Sequence, residues 1–108
     1  MPIKKTTHNI VPKYIIQNNR VVIGKVAYHK DLITGKIGVQ GGGMFIINHK
    51  EATLLLYGDS YKLGPPDMDA LKKAVKNWKI YTNKSCKVLL DDKFTISIKT
   101  RDGIITLN

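Results

Sequence analysis

The sequence predicts an α+β fold, a single mixed β-sheet with one clear helix over Asp67–Trp78 packed on it and a β-hairpin extension at the C-terminal end. Three observations predict it. Apolar stretches of strand length recur from Tyr14 to Leu107, and only Asp67–Trp78 shows a clear helical period. The order of four strands, a helix and further strands does not repeat the strand–helix alternation of a parallel sheet. A chain of 108 residues can bury one core and is too short for two, so residues 1–108 are expected to form one domain, with 1–12 a loosely held arm and 84–108 a strand extension.

The elements follow in order. Tyr14-Ile15-Ile16-Gln17 and Val21-Val22-Ile23 read as strands joined at Asn18-Asn19, because asparagine tolerates the positive φ of a tight turn. The second strand is expected to run on to His29. Asp31 to Gly38 is a connection with Thr34-Gly35 as its turn, and Met44-Phe45-Ile46-Ile47 is an apolar strand. Thr53-Leu54-Leu55-Leu56-Tyr57 lacks alternation, the pattern of a central strand buried on both faces.

In the helix, Leu71, Ala74, Val75 and Trp78 recur at i, i+3, i+4 and i+7, with Asp67 as its cap. That spacing makes Trp78 a core residue. Val88-Leu89-Leu90 and the alternating Phe94-Thr95-Ile96-Ser97-Ile98 read as strands, and Arg101-Asp102-Gly103 turns the last hairpin into Ile104-Ile105-Thr106-Leu107.

The hydrophobic fraction of 43% is that of a globular protein, and no apolar run approaches the ~20 residues of a membrane span. Pro12 and Lys13 interrupt the first apolar stretch before it could act as a signal sequence, so a cytoplasmic setting is expected. The single cysteine, Cys86, excludes an internal disulfide and reads as a small core residue. Lys and Arg total 18 against 8 acids, for a net charge of +10, which favours anionic partners: phosphoproteins, small phosphates or nucleic acid. All but Arg20 and Arg101 of these cations are lysines, a composition that steers anions more than it reads base edges. His8, His29 and His49 are isolated, without metal-ligand spacing, and His8 and His49 read as surface turn residues, so no metal is expected.

Two segments carry chemistry. Gly41-Gly42-Gly43 precedes a strand, where three glycines suit a bulge, a tight turn or a close backbone approach. Leu56-Tyr57-Gly58-Asp59-Ser60-Tyr61-Lys62-Leu63-Gly64-Pro65-Pro66 ends a buried strand, and its glycines frame a hydroxyl and a lysine, so several amides can converge with Ser60 and Lys62 on one anion. Asp67 and Asp69 neutralise the helix N-terminus, which places the anion in the loop. The strand order brings His29 and the triple glycine to one end of the sheet.

His29-x-Asp31-Leu32, Gly41-Gly42-Gly43-x-Phe45, Leu56-Tyr57-Gly58-x-Ser60 and Gly64-Pro65 before a helix resemble, in order over about Lys13 to Asn83, the Janus/Ocnus family of phosphohistidine phosphatases. The resemblance implies metal-free hydrolysis of protein phosphoramidate without a cofactor, and a phosphorylated protein as partner. It assigns His29 as the base, Ser60 as a hydrogen-bond donor to phosphate and the amides around Lys30, Tyr61 and Lys62 as its cradle. Lys13 matches the basic residue of the family's first strand, and Gly43 closes the glycine side. Met44 stands where the family carries arginine after the triple glycine, and Arg20 lies one position from a second family arginine. The segment between His29 and Gly41 is shorter than the family's helix-bearing one, and about 25 residues from Lys84 extend past the family's usual end. The alternatives are a non-catalytic phosphate-binding or phosphoprotein-binding module of the same fold and a basic nucleic-acid-binding domain.

Overall fold

Asn18 and Asn19 both take left-handed dihedrals, φ 54° and 58°, which suit the twist of a two-residue hairpin. They close β1, Val11–Gln17, onto β2, Arg20–Val26, in register from Gln17↔Arg20 to Val11↔Val26. The structure, a computed structural model, describes residues 10–35 and 37–108; the expectations for most of the arm and for His8 fall outside them. A 3-10 turn over His29–Leu32 follows, then β3, Val39–Asn48, and β4, Thr53–Tyr57. Helix α1, Met68–Lys76, leads to β5, Ile80–Thr82, and the chain ends in the hairpin of β6, Thr95–Thr100, and β7, Gly103–Thr106.

The seven strands form one mixed sheet in the order β5-β2-β1-β3-β4-β6-β7. The β2–β5 and β4–β6 pairs are parallel and the others antiparallel, the mixture expected of an α+β fold. On one face Tyr14, Ile16, Val21, Ile23, Phe45, Leu54, Leu56, Ile96 and Ile98 meet Ala70, Leu71, Ala74 and Val75 of α1, and Cys86 joins them. A smaller cluster on the opposite face joins Ile15 and Val26 to Leu32 of the 3-10 turn. Among the described residues no helix is long and apolar enough to cross a membrane.

Several expectations are corrected. β1 begins at Val11, so Pro12 belongs to the sheet and not to an arm. β1 is also the strand that is covered on both faces, whereas Thr53–Tyr57 alternates, with Leu54 and Leu56 buried and Leu55 only half-buried. β2 ends at Val26, three residues before His29. The triple glycine lies inside β3. Val88-Leu89-Leu90 forms no strand; Val88 and Leu90 pack on the main core from irregular chain, while Leu89 faces solvent.

Trp78 leaves the core for a reason of backbone geometry. Its N–H donates to Val75 at 3.0 Å and that of Lys79 to Ala74 at 2.7 Å, the paired bonds of a Schellman turn. Such a turn needs a left-handed residue just past the helix, and Trp78, φ 54°, takes the place glycine usually holds. The helical stripe therefore stops at Val75, and Trp78 is 36% exposed.

Candidate functional site

Past Tyr57, which pairs with Met44, the chain turns at Gly58 (φ 68°) and comes back to the strand it has just left. The N–H of Ser60 donates to the carbonyl of Gly42 at 2.8 Å, and the N–H of Gly42 donates to Gly64 at 3.3 Å. The loop is closed on itself by Gly64 N–H to Ser60 O, 2.9 Å, and its exit is tied by Asp67 N–H to Gln40 O, 2.9 Å. This close approach accounts for the glycines: a Cβ at Gly43 would stand 2.5 Å from the Gly58 carbonyl oxygen and 2.6 Å from that of Tyr57.

The folded-back loop faces the 3-10 turn across a cleft of about 540 Å³ lined by Lys13, His29, Lys30, Ser60, Tyr61 and Lys62, with Ala27, Tyr28, Asp59 and Leu63 completing the wall. Six of the seven residues singled out from sequence thus share one cavity. The seventh, Gly43, binds His29 instead. Three lysines against the single carboxylate of Asp59 give the cleft a positive balance suited to an anion.

His29 opens the 3-10 turn, and its Nε2 lies 2.8 Å from the Gly43 carbonyl oxygen. A carbonyl only accepts, so Nε2 carries the proton and Nδ1 is left as the basic nitrogen of the neutral ring. Burial holds the imidazole below its usual range; the Gly43 bond opposes that shift, and the Lys13 charge adds to it. The ring is therefore neutral at pH 7.

Ser60 is 3% exposed, and its Oγ accepts the Leu63 N–H at 3.0 Å. A hydroxyl that accepts in this way still has its own proton to donate. Among the described residues the amides of Lys30, Tyr61 and Lys62 donate to no protein acceptor, the state in which turn amides bind an anion. Lys13 is buried; its Nζ donates to the Val26 carbonyl at 2.8 Å, which leaves two of its three protons for another acceptor. Burial pushes the Lys13 ammonium below its usual range, and Asp31 partly offsets that. Lys30 extends over the Tyr28 ring, 5.2 Å from its centroid, and Tyr61 is 99% exposed at the mouth.

Arg20 is not brought to this site. It pairs with Gln17 at the hairpin end of β2, the end away from the Val26 carbonyl that Lys13 reaches, and lines a different groove with Tyr81. Met44 pairs with Lys13 on one side and Tyr57 on the other, and its Cε lies where a Gly58 side chain would be. Among the described residues no three His, Cys, Asp or Glu side chains stand together as a metal site.

Gln17 is the residue that sequence reasoning missed. Its Nε2 donates to the Thr34 and Ile37 carbonyls at 2.6 and 2.8 Å, and its Oε1 accepts the Thr34 N–H at 2.9 Å. One buried amide thereby fastens the connection that follows the His29 turn. Its polarity at a β1 position that faces the second core cluster was the available signal. No protein family, curated protein or solved structure matches the chain.

Proposed function

We propose that the protein belongs to the phosphohistidine-phosphatase class, and that the cleft hydrolyses a phosphoramidate on a protein. The observation that carries this reading is the fixed tautomer of His29. Gly43 holds the Nε2 proton, and the remaining basic nitrogen belongs to a cleft with three unengaged amides, the Ser60 hydroxyl and Lys13.

Phosphoryl transfer from nitrogen asks little covalent chemistry of the protein; it needs the donor positioned, the equatorial oxygens stabilised and a water activated. The amides of Lys30, Tyr61 and Lys62 with Ser60 Oγ hold the oxygens. Nδ1 of His29 takes a proton from water as its oxygen bonds to phosphorus; the P–N bond breaks, and the proton passes from Nδ1 to the departing nitrogen. The products are inorganic phosphate and the free histidine side chain of the substrate. General-base assistance of this kind contributes about 10²–10⁴ in rate.

A second reading is supported by Met44. A thioether beside Lys13 supplies no charge where an arginine would clamp phosphate. In that reading the cleft binds a phosphoprotein without turning it over.

Hydrolysis of a phosphohistidine peptide decides between them. The enzyme reading expects turnover by the wild type and a loss of at least 10²-fold in His29→Ala. No turnover by either protein, with phosphate binding that Ser60→Ala abolishes, establishes the binding module instead.

A further inference from the structure

From Ala70 to Leu90 the chain carries Lys72, Lys73, Lys76, Lys79, Lys84 and Lys87 and not one acid. All six lysines are exposed. They run along the outer face of α1, through the Schellman turn and past the edge strand β5. Two aromatic side chains stand among them: Trp78, thrown out of the core by its left-handed backbone, and Tyr81, 50% exposed on β5. They stand three positions apart in the chain, at most about 10 Å of extended backbone. Beside Tyr81, on the sheet face that carries Leu32, a groove of about 560 Å³ is lined by Arg20, Val22, Leu32, Thr34, Tyr81 and Lys84 among others, and Trp78 stands at the β5 edge outside it. Among the described residues β5 pairs only with β2, and its other edge is the end of the sheet.

We propose that this surface binds single-stranded nucleic acid, with bases stacked on Tyr81 and Trp78 and the phosphates held by Arg20, Lys79 and Lys84. Sequence-tolerant strand binding takes a cationic track with aromatic faces set into it, because every base offers a π-face and every nucleotide a charge. An acidic protein surface would use the lysines but has no need of two exposed rings. The lysine-rich composition suits strand binding without base-edge readout. The site is separate from the phosphate cleft: Arg20 lies at the other end of β2, and the groove and the cleft have no lining residue in common.

Trp78 is the only tryptophan, so its fluorescence reports this surface alone. Titration with a twelve-residue oligothymidylate is expected to quench it. With about four phosphates engaged, affinity should fall about 50-fold between 50 and 200 mM salt. Lys79→Glu combined with Lys84→Glu should weaken binding at least tenfold and flatten the salt dependence. Tyr81→Ala should weaken it about tenfold with the salt dependence unchanged, and Lys62→Glu, in the phosphate cleft, should leave it intact. The proposal is overturned by no binding at 50 mM salt, by binding without quenching, or by affinity that the lysine reversals do not change. It is equally overturned if polyglutamate competes as well as the oligonucleotide, since the partner would then be an acidic protein.

Discussion

The ring of His29 and the backbone of Gly43, 14 residues apart, are joined by a hydrogen bond of 2.8 Å from Nε2 to the carbonyl oxygen. The bond links the 3-10 turn to the middle of the sheet. The position of the ring therefore depends on how closely the 58–64 loop can approach β3.

Gly43→Ala tests that dependence. Its methyl would meet the carbonyl oxygens of Gly58 and Tyr57 at 2.5 and 2.6 Å, both backbone, so the loop or the strand must shift. Overpacking of this kind costs about 1–3 kcal/mol, and the displaced carbonyl would release Nε2. The expected outcome is a lowered denaturation midpoint together with loss of hydrolysis or of phosphate binding. Wild-type binding and turnover in a stable variant would show that the Gly43 bond does not matter.

Acid should silence the site at a pH below the ordinary imidazole value of ~6.5. Burial lowers the folded pKa of His29, so the imidazole stays neutral until the pH falls through that lowered value. The folded state binds this proton less readily than the unfolded chain does. The contribution to stability is therefore whole above ~6.5 and is lost as pH falls toward the folded pKa. Lys13→Met removes a charge that also lowers the pKa, so the acid limb of kcat/KM should move to higher pH while KM rises. A limb that stays in place, or moves to lower pH, contradicts the assignment of His29 as base.

Much of this arrangement was legible because it rests on residues with few conformational choices. Asn18-Asn19 marked its hairpin, Asp67 its helix start, and Gly41-Gly42-Gly43 the place where backbone comes within contact of backbone. What was not legible depended on tertiary partners. Gln17 looks like a solvent-facing position of a strand, yet it is buried because the Thr34 and Ile37 carbonyls meet its amide. Trp78 keeps the helical spacing but lies beyond the last helical turn, where a Schellman closure overrides periodicity. Leu55 reads as core within a leucine run, but its face of the sheet is only partly covered.

Gln17→Leu should loosen the segment behind His29. The substitution keeps the bulk and removes three hydrogen bonds, leaving the Thr34 N–H without its acceptor. These bonds are only part-buried, so their loss costs about 1 kcal/mol. Hydrogen exchange is the sensitive measurement: the Thr34 amide should lose protection first, while amides of β4 and β6 keep theirs. Uniform loss of protection across the sheet would mean that Gln17 supports the whole fold and not this connection.

Tyr14→Phe is expected to run the other way. The ring is fully buried in the main core, and its hydroxyl is the one buried side-chain polar atom without a hydrogen-bond partner among the described residues. Burial, reinforced by the charge of Asp59, pushes the phenol above its usual range, so the group is neutral at pH 7. Its hydroxyl therefore bears a desolvation cost of about 1–3 kcal/mol that phenylalanine avoids with almost the same shape. A gain of about 1 kcal/mol would raise Tm by roughly 4 °C in a chain of this size. Tyr14 also pairs with Gly43 in the sheet, so the variant should keep the wild-type pH profile, because no hydrogen bond of the His29 site passes through the hydroxyl. A lower Tm would reveal that the hydroxyl has a partner, and a shifted pH profile would place that partner in the cleft.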